Sequence, residues 1–172
     1  WETGIKDLYK VLANDYLYGN PYDLVVFAGN HDMTRIFTQL NNDFDLYKMA
    51  MTYIYTTRGI PQVYYGTEIV MEGPADHGTL RADFPGGWHN DKVNAFKGSG
   101  LKNEQKDAQI FTKKLLNWRK ESLPVTQGKF IHYYPDDGVY IYFRKYEDEL
   151  VMVLMNNNNK TKALSKEPLV LF

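Results

Sequence analysis

The 172-residue sequence contains no cysteine, which excludes disulfide bonds, thiolate catalysis and cysteine-based zinc sites. It also has no excess of one charge, because 20 lysines and arginines stand against 21 aspartates and glutamates, for a net charge of -1. Such a chain has no basic field to hold a nucleic acid backbone or an anionic membrane surface. No hydrophobic run approaches the length of a transmembrane helix. We therefore expect neither nucleic acid nor a membrane as a partner.

The composition indicates a globular protein with a real core, since 44% of the residues are hydrophobic. Aromatic residues make up 15% of the chain and include 14 tyrosines and 3 tryptophans. Aromatic rings of this number suit sugar-binding surfaces, but a tyrosine-rich core would account for them equally well. Composition alone does not choose between these two interpretations.

The most informative stretch is a short apolar run, residues 24–28, that stops abruptly at Asn30, His31 and Asp32. The run is apolar on both faces, which is typical of a strand inside a parallel sheet. Parallel-sheet folds place their binding residues at the carboxyl ends of such strands. The bland alternative is that Asn30 and Asp32 are turn formers and that His31 is an ordinary surface imidazole.

Around this stretch the pattern alternates between helix and strand. Apolar spacing predicts a helix before the strand and another after it, capped from residues 41–43, with Gly59 as its C′ glycine. A long loop rich in glycine and proline then precedes the clearest helix, which has Ile110, Phe111, Leu115 and Trp118 as its buried stripe. The predicted elements are helices over 7–18 and 104–121, strands over 24–28 and 61–69, and a loop over 70–103.

The pattern of predicted elements changes near Leu123, where consecutive hairpins replace the alternation of helix and strand. Tight turns at 135–138 and 147–148 separate strands predicted over 129–134, 139–146 and 149–155. Residues 164–172 could supply one more strand. We therefore place a domain boundary between residues 1–122 and 123–172 and expect an antiparallel meander in the second part.

Two motifs in this order resemble the alpha-amylase family of glycoside hydrolases, and within it the neopullulanase and cyclomaltodextrinase branch. They are Asn30-His31-Asp32 at a strand end and, after a helix, the run Gly-Ile-Pro-Gln-Val-Tyr-Tyr-Gly-Thr-Glu from Gly59 to Glu68. In that family the first motif ends the seventh barrel strand and the second forms the eighth. The resemblance implies an α/β fold, the C-terminal part of a (β/α)8 TIM barrel over 1–122, followed by an antiparallel β-sandwich-type C-terminal domain over 123–172.

The resemblance further implies a retaining glycosidase that acts on alpha-linked glucans such as starch, maltodextrin, cyclodextrin or pullulan. The family's Asp nucleophile and Glu general acid belong to the fourth and fifth barrel strands. We expect the chain to begin only after the sixth strand, so that both residues lie outside this sequence. The alternative from another class is a non-catalytic glucan-binding or structural module derived from the family.

Residue by residue, Asp32 resembles the family's third carboxylate, which grips the hydroxyls of the cleaved sugar and stabilises the transition state. His31 would donate to the same sugar, and Asn30 would hold the turn that aims both. Arg35 is either an ion-pair partner of the site or a direct participant, while the Gly29 that precedes the motif departs from the acidic residue common in the family. The predicted substrate contacts are Asn30, Arg35, Tyr65, Arg81, Asp83 and Trp88.

Four further residues need an interpretation. Glu68 resembles a structural glutamate at the barrel mouth, and Trp88 either stacks on the glucan or packs on its own domain. His77, like His89, lacks a partner at metal-ligand spacing, so neither is interpreted as a ligand. We predict no metal or cofactor in this segment, although calcium could bind elsewhere in the full-length enzyme.

The predicted partners are an alpha-glucan oligosaccharide and the rest of the parent chain. Open strand edges would also favour pairing with a second copy. The segment 83–88 looks like the starch-degrading enzymes of gut bacteria, and a periplasmic or extracellular location is expected.

Overall fold

Two short parallel strands and a three-stranded antiparallel sheet organise the chain in the computed structural model, which describes residues 4–74 and 76–163. The helices are α1 (Ile5–Ala13), α2 (Ile36–Gln39), α3 (Phe44–Thr56), α4 (His77–Leu80), α5 (Asn103–Glu121) and α6 (Leu123–Gln127). The strands are β1 (Val25–Phe27), β2 (Ile60–Gln62), β3 (Lys129–His132), β4 (Val139–Tyr146) and β5 (Glu149–Asn156). Single 3-10 turns occupy Asp15–Leu17, Pro21–Asp23 and Thr67–Ile69.

Strands β1 and β2 pair in parallel, with Val25 opposite Ile60 and Phe27 opposite Gln62. Helices α2 and α3 connect them, so the predicted strand, helix, strand unit is confirmed. The strand predicted over 61–69 is wrong beyond Gln62. There the backbone turns at Gly66, which has a φ of 84°, and continues as a 3-10 turn.

Helix α3 begins where the sequence predicted, because Asp43 caps it. The Asp43 Oδ1 atom accepts hydrogen bonds from the backbone N–H groups of Asp45 at 2.9 Å and Leu46 at 3.0 Å. The buried face of α3 includes Tyr47 and Met51, which lie in the larger apolar cluster together with residues of α5. The crossover helix is therefore fixed by a cap at its start and by apolar packing along its length.

Gly59 does not stop α3, contrary to the prediction, since the helix ends at Thr56 with Thr57 as its capping residue. Gly59 has a φ of 96°, and a Cβ atom there would lie 2.5 Å from the Leu24 carbonyl oxygen. The glycine is needed because the start of β2 approaches the start of β1 closely.

Two predicted helices need correction. The helix predicted over 7–18 stops at Ala13, where the Asn14 side chain bonds back to the Lys10 carbonyl oxygen and a separate 3-10 turn follows. Helix α5 has nearly the predicted bounds, but Ile110 and Trp118 are exposed. Phe111 and Leu115 of the predicted stripe do pack against the larger apolar cluster. Ala108 and Thr112 are the buried residues of α5, and their small side chains allow a close approach to α3.

The antiparallel meander is confirmed, with β4 between β3 and β5. One face of the sheet packs on the N-terminal helix through a cluster that contains Ile5, Tyr140, Tyr142, Val153 and Met155. The further strand considered over 164–172 lies outside the described residues. Among the described residues, no helix is long and apolar enough to cross a membrane.

A buried arginine joins this sheet to the end of α3. Arg144 on β4 is 1% exposed and donates to the carbonyl oxygens of Thr57 at 2.6 Å, Thr56 at 3.2 Å and Gly128 at 2.9 Å. Burial lowers the pKa of Arg144 to about 10. A cation at a helix C-terminus satisfies carbonyls that have no partner within the helix.

Arg119 of α5 adds a second cation at the same end of α3. It donates to the Tyr55 carbonyl oxygen at 2.7 Å and to the Gly59 carbonyl oxygen at 3.2 Å. The two arginines thus fix the segment that leads into β2, and with it the strand pair whose ends carry the polar residues.

The segment predicted as a long loop is packed rather than loose. It contains α4, and a small apolar cluster of Ile69, Ala95 and Leu101 also includes Met71, Phe84 and Val93 at its edge. A single bridge pairs Asn94 with Ser99. The segment therefore has a core of its own, which allows it to hold side chains in defined places.

Candidate active site

Asp32 lies in the turn that follows β1, on the side where β2 also ends. The Asn30 Oδ1 atom accepts the Asp32 backbone N–H at 2.9 Å, which is the local bond that shapes this turn. His31 Nε2 lies 3.1 Å from Asp32 Oδ2. The Asp32 side chain is 55% exposed, so the carboxylate is open to a ligand from solvent.

A second element brings positive charge to the same carboxylate. Arg81, which follows α4, donates from Nη2 to Asp32 Oδ1 at 3.0 Å and from Nε to the His31 carbonyl oxygen at 3.4 Å. His77, the first residue of α4, places Nδ1 at 3.9 Å from Asp32 Oδ1. One carboxylate is thus surrounded by a guanidinium and two imidazoles that come from two separate parts of the chain.

Several contacts hold α4 against β1 and β2. Asp76 caps the helix by accepting the Thr79 backbone N–H at 3.2 Å and the Thr79 hydroxyl at 2.8 Å. These bonds lower the pKa of Asp76, with the Thr79 hydroxyl as the largest cause. At the other end, the Leu80 carbonyl oxygen accepts hydrogen bonds from Arg35 Nη2 at 2.8 Å and from the Tyr64 hydroxyl at 3.1 Å.

The prediction for Arg35 requires a correction, because Arg35 forms no ion pair with any residue that the structure describes. Its side chain lies inside the fold, 3% exposed, with the guanidinium within about 5 Å of the Tyr64 and Tyr65 ring centres. It donates to the carbonyl oxygens of Tyr65 and Leu80. A buried guanidinium on carbonyl oxygens cannot contact a glucan directly, and Arg81 forms the ion pair with Asp32 instead.

The other predicted contacts lie further along the same segment. Tyr65 is at the surface, and its hydroxyl donates to the Ala82 carbonyl oxygen at 2.8 Å. Trp88 is 66% exposed, and its indole Nε1 donates to Asp83 Oδ2 at 2.8 Å. Asp83 therefore holds the exposed indole rather than facing Asp32. Within the described residues, none of these three side chains forms a hydrogen bond or ion pair with Asp32.

Glu68 lies in the 3-10 turn after β2, and its Oε2 atom is buried without a hydrogen-bond partner among the described residues. Its charge adds to the effect of burial, which is the main cause that raises the pKa of Tyr47 to about 12. In the described residues, no group of three or more histidine, aspartate or glutamate side chains could hold a metal ion.

His77 is the residue of this cluster that sequence reasoning missed. Its signal is weak: it precedes Arg81 by four positions, which places both on one face of a helical turn, and it follows Asp76, a common N-cap residue. Nothing in the sequence alone connects α4 to the turn after β1.

Comparison with known proteins decides the family. Residues 2–132 match the catalytic domain of alpha amylase, and residues 130–169 match the cyclo-malto-dextrinase C-terminal domain. The chain belongs to the alpha-amylase family. The predicted resemblance to the alpha-amylase family is confirmed, and the match of the C-terminal residues agrees with the predicted cyclomaltodextrinase branch.

Individual relatives agree with this assignment. A cyclomaltodextrinase of Thermoanaerobacter pseudethanolicus is 29% identical over 136 residues, which are 79% of this chain and 21% of that protein. A cyclomaltodextrin glucanotransferase of Niallia circulans is 31% identical over 151 residues, which are 88% of this chain and 18% of that protein.

Among solved structures, an alpha-amylase of Geobacillus thermoleovorans complexed with acarbose superposes with a TM-score of 0.68 at 33% identity. The superposition covers 87% of this chain and 31% of that enzyme. The chain thus spans about a fifth of the two sequence relatives and about a third of the solved enzyme. Members of the alpha-amylase family that match it are glycosidases and glucanotransferases named for alpha-glucan substrates.

Proposed function

We propose that the protein containing this chain is a retaining alpha-glucan hydrolase, and that the chain supplies the carboxylate that binds the sugar being cleaved. The observation that carries the proposal is the open Asp32 carboxylate, bonded to His31 and Arg81 at the end of a parallel strand. Carboxylate oxygens accept hydrogen bonds from sugar hydroxyls, and such bonds can strengthen as the ring distorts toward the transition state.

The fold part of the proposal is that β1 and β2 are the seventh and eighth strands of a (β/α)8 barrel over residues 1–122, ahead of a β-sandwich-type domain over 123–172. Exposed apolar side chains support it, since Val25, Phe27 and Ile60 all face solvent from the strand pair. Three large apolar side chains on two adjacent strands need a cover. The other barrel strands of the parent chain would supply that cover.

In this proposal the chain does not break the glycosidic bond by itself. A retaining glycosidase uses two carboxyl groups about 5 Å apart, one as nucleophile and one as general acid. In this proposal Asp32 fills neither role, because its motif resembles the one that carries the family's third carboxylate, whose partners are sugar hydroxyls. The nucleophile and the acid would come from the upstream strands.

The second candidate is a non-catalytic glucan-binding or structural module. The open carboxylate cluster would serve such a module as a sugar-binding site without chemistry. The two candidates differ in what Asp32 does, because a binding module needs it for affinity and a hydrolase needs it mainly for turnover.

The test is Asp32→Asn in the full-length protein, assayed on maltooligosaccharides, with Asp148→Asn in the exposed β4–β5 turn as the matched control. We expect kcat to fall at least about 100-fold, because several kcal/mol of transition-state stabilisation depend on these hydroxyl contacts. Glucan affinity should change less than about threefold. An unchanged kcat would contradict the proposal, and a loss of affinity in a protein without hydrolytic activity would favour the binding module.

A further inference from the structure

The distance between His77 and Asp32 is too long for a direct hydrogen bond, but it allows one oxygen atom beside the pair to bond to both side chains. His77 Nδ1 lies 3.9 Å from Asp32 Oδ1, whereas N–H···O bonds are about 2.7 to 3.2 Å long. Both side chains are open, with 73% of His77 and 55% of Asp32 exposed. A ligand can therefore approach both atoms from solvent.

A hydroxyl group suits this arrangement, because its oxygen can lie about 3 Å from both atoms. One hydroxyl oxygen within hydrogen-bond distance of both atoms can donate its proton to Asp32 Oδ1 and accept the Nδ1–H of His77. The carboxylate retains capacity for it, since an ionised carboxylate offers about four acceptor sites. Arg81 uses one of them on Oδ1, and His31 lies against Oδ2.

The position of His77 is built into the fold rather than left to a loose loop. Asp76 caps the helical turn that His77 begins, and the turn ends at Leu80, whose carbonyl oxygen is held by Arg35 and Tyr64. Arg81, on the same face of the turn, is already bonded to Asp32. These bonds fix the turn, and the fixed turn keeps the His77 side chain next to Asp32.

We propose that His77 is a further substrate-contacting residue, which shares one hydroxyl of the bound sugar with Asp32. The inference rests on the proposed function and adds the α4 turn to the sugar-binding surface. The shared contact would make the site selective for sugars that carry this hydroxyl, because a sugar without it leaves both the carboxylate and the imidazole without their partner.

The experiment uses the full-length protein and compares His77→Ala, His77→Asn and, as the control, His89→Ala, which removes another exposed histidine of the same segment. His77→Ala should lower kcat/KM on maltooligosaccharides about tenfold, which corresponds to one hydrogen bond. His77→Asn should recover most of the loss, because its amide can also donate to a hydroxyl. His89→Ala should behave as the unmodified protein.

The decisive measurement repeats the comparison on substrates deoxygenated at C2 or C3 of the cleaved unit. On one of the two analogues, His77→Ala and the unmodified protein should have equal kcat/KM, since the shared hydroxyl is absent and the two changes are not additive. If His77→Ala and the unmodified protein have the same kcat/KM on ordinary maltooligosaccharides, the inference is overturned. The same tenfold loss on both analogues would also overturn it, because it would mean that His77 only supports the fold.

Failure of the inference is distinguishable from failure of the proposed function. If Asp32→Asn abolishes turnover while His77→Ala leaves it unchanged, the hydrolase proposal stands and the His77 contact is wrong. If Asp32→Asn leaves turnover unchanged, the proposed function is wrong and the His77 contact falls with it.

Discussion

Arg81 and Arg144 show that the chain uses its arginines in two opposite ways. Arg144 is 1% exposed and binds three carbonyl oxygens at the junction between α3 and the C-terminal sheet. The Arg81 side chain is 51% exposed and binds the carboxylate of Asp32. Exposed ion pairs contribute at most about 1 kcal/mol to stability. Removal of a buried arginine costs several times more, because the carbonyl oxygens that it bonded are left without a donor.

The fold is stabilised mainly at the junction between α3 and the C-terminal sheet, away from the candidate site. The junction carries the buried arginines and the apolar cluster around Tyr140 and Tyr142, while the site consists of open polar side chains. The exposed carboxylate can accept sugar hydroxyls at its remaining acceptor sites while Arg81 and His31 stay in contact with it. Substitutions at the junction should therefore change stability, and substitutions at the site should change activity.

The largest expected effect comes from Arg144→Met in the full-length protein. Three buried carbonyl oxygens would lose their donor, so we expect the free energy of unfolding to fall by about 3 kcal/mol or more. Arg81→Met is the matched control at the site and should change it by less than about 1 kcal/mol. Urea unfolding followed by circular dichroism measures both, and equal losses would contradict the distinction between the two regions.

A smaller, purely functional effect is expected from Asp76→Ala. Without the cap, the α4 turn loosens and Arg81 moves away from Asp32, so kcat/KM on maltooligosaccharides should fall severalfold while the urea midpoint stays unchanged. Asp76→Asn is the control, because asparagine caps helices as well as aspartate does. Activity equal to that of the unmodified protein would show that α4 holds its position without the cap.

The capping of α4 by Asp76 should depend on pH. The hydrogen bonds from Thr79 lower the pKa of Asp76. The cap is therefore intact above the ordinary aspartate pKa and is lost only as the pH falls through the lowered value.

The smallest expected effect is a pH dependence of stability that comes from His132 in the C-terminal sheet. His132 on β3 lies 2.9 Å from the Tyr140 hydroxyl, and burial lowers the pKa of His132. The unfolded chain then binds a proton at about pH 6.5, before the folded chain does. Stability from this group is complete above about pH 6.5 and declines as the pH falls through the lowered value.

The measurement is the urea midpoint between about pH 5 and pH 7 for the unmodified protein and for His132→Asn, which keeps a polar partner for Tyr140. The variant should show a shallower dependence. Parallel curves would mean that other groups account for the dependence.

The parts of the fold that follow from local pattern could be predicted from the sequence. The apolar run before Asn30 predicted the parallel strand, and the turn residues 135–138 predicted the β3–β4 hairpin. The parts that depend on distant contacts could not be predicted. Gly59 was interpreted as a helix stop because its close approach to Leu24 appears only when β1 and β2 pair.

The candidate site shows the same division. The turn around Asp32 is local, since Asn30 shapes it through one short-range bond, and sequence reasoning found all three of its polar residues. The contacts of Arg81 and His77 with Asp32 join residues that are 49 and 45 positions apart, so no local pattern reports them. Arg35 was misjudged for the same reason, because its carbonyl partners belong to β2's following turn and to α4.

The proposed function assigns the sugar-binding edge of an alpha-glucan hydrolase to this chain and the two carboxyl groups that break the bond to the rest of the parent protein. The most direct test is the release of reducing ends from maltooligosaccharides by the purified 172-residue chain, shown to be folded by circular dichroism, beside the full-length protein. We predict that the full-length protein releases sugar and that the chain alone releases none, because the nucleophile and the acid are both required for the acceleration. Glucan hydrolysis by the chain alone would contradict the account.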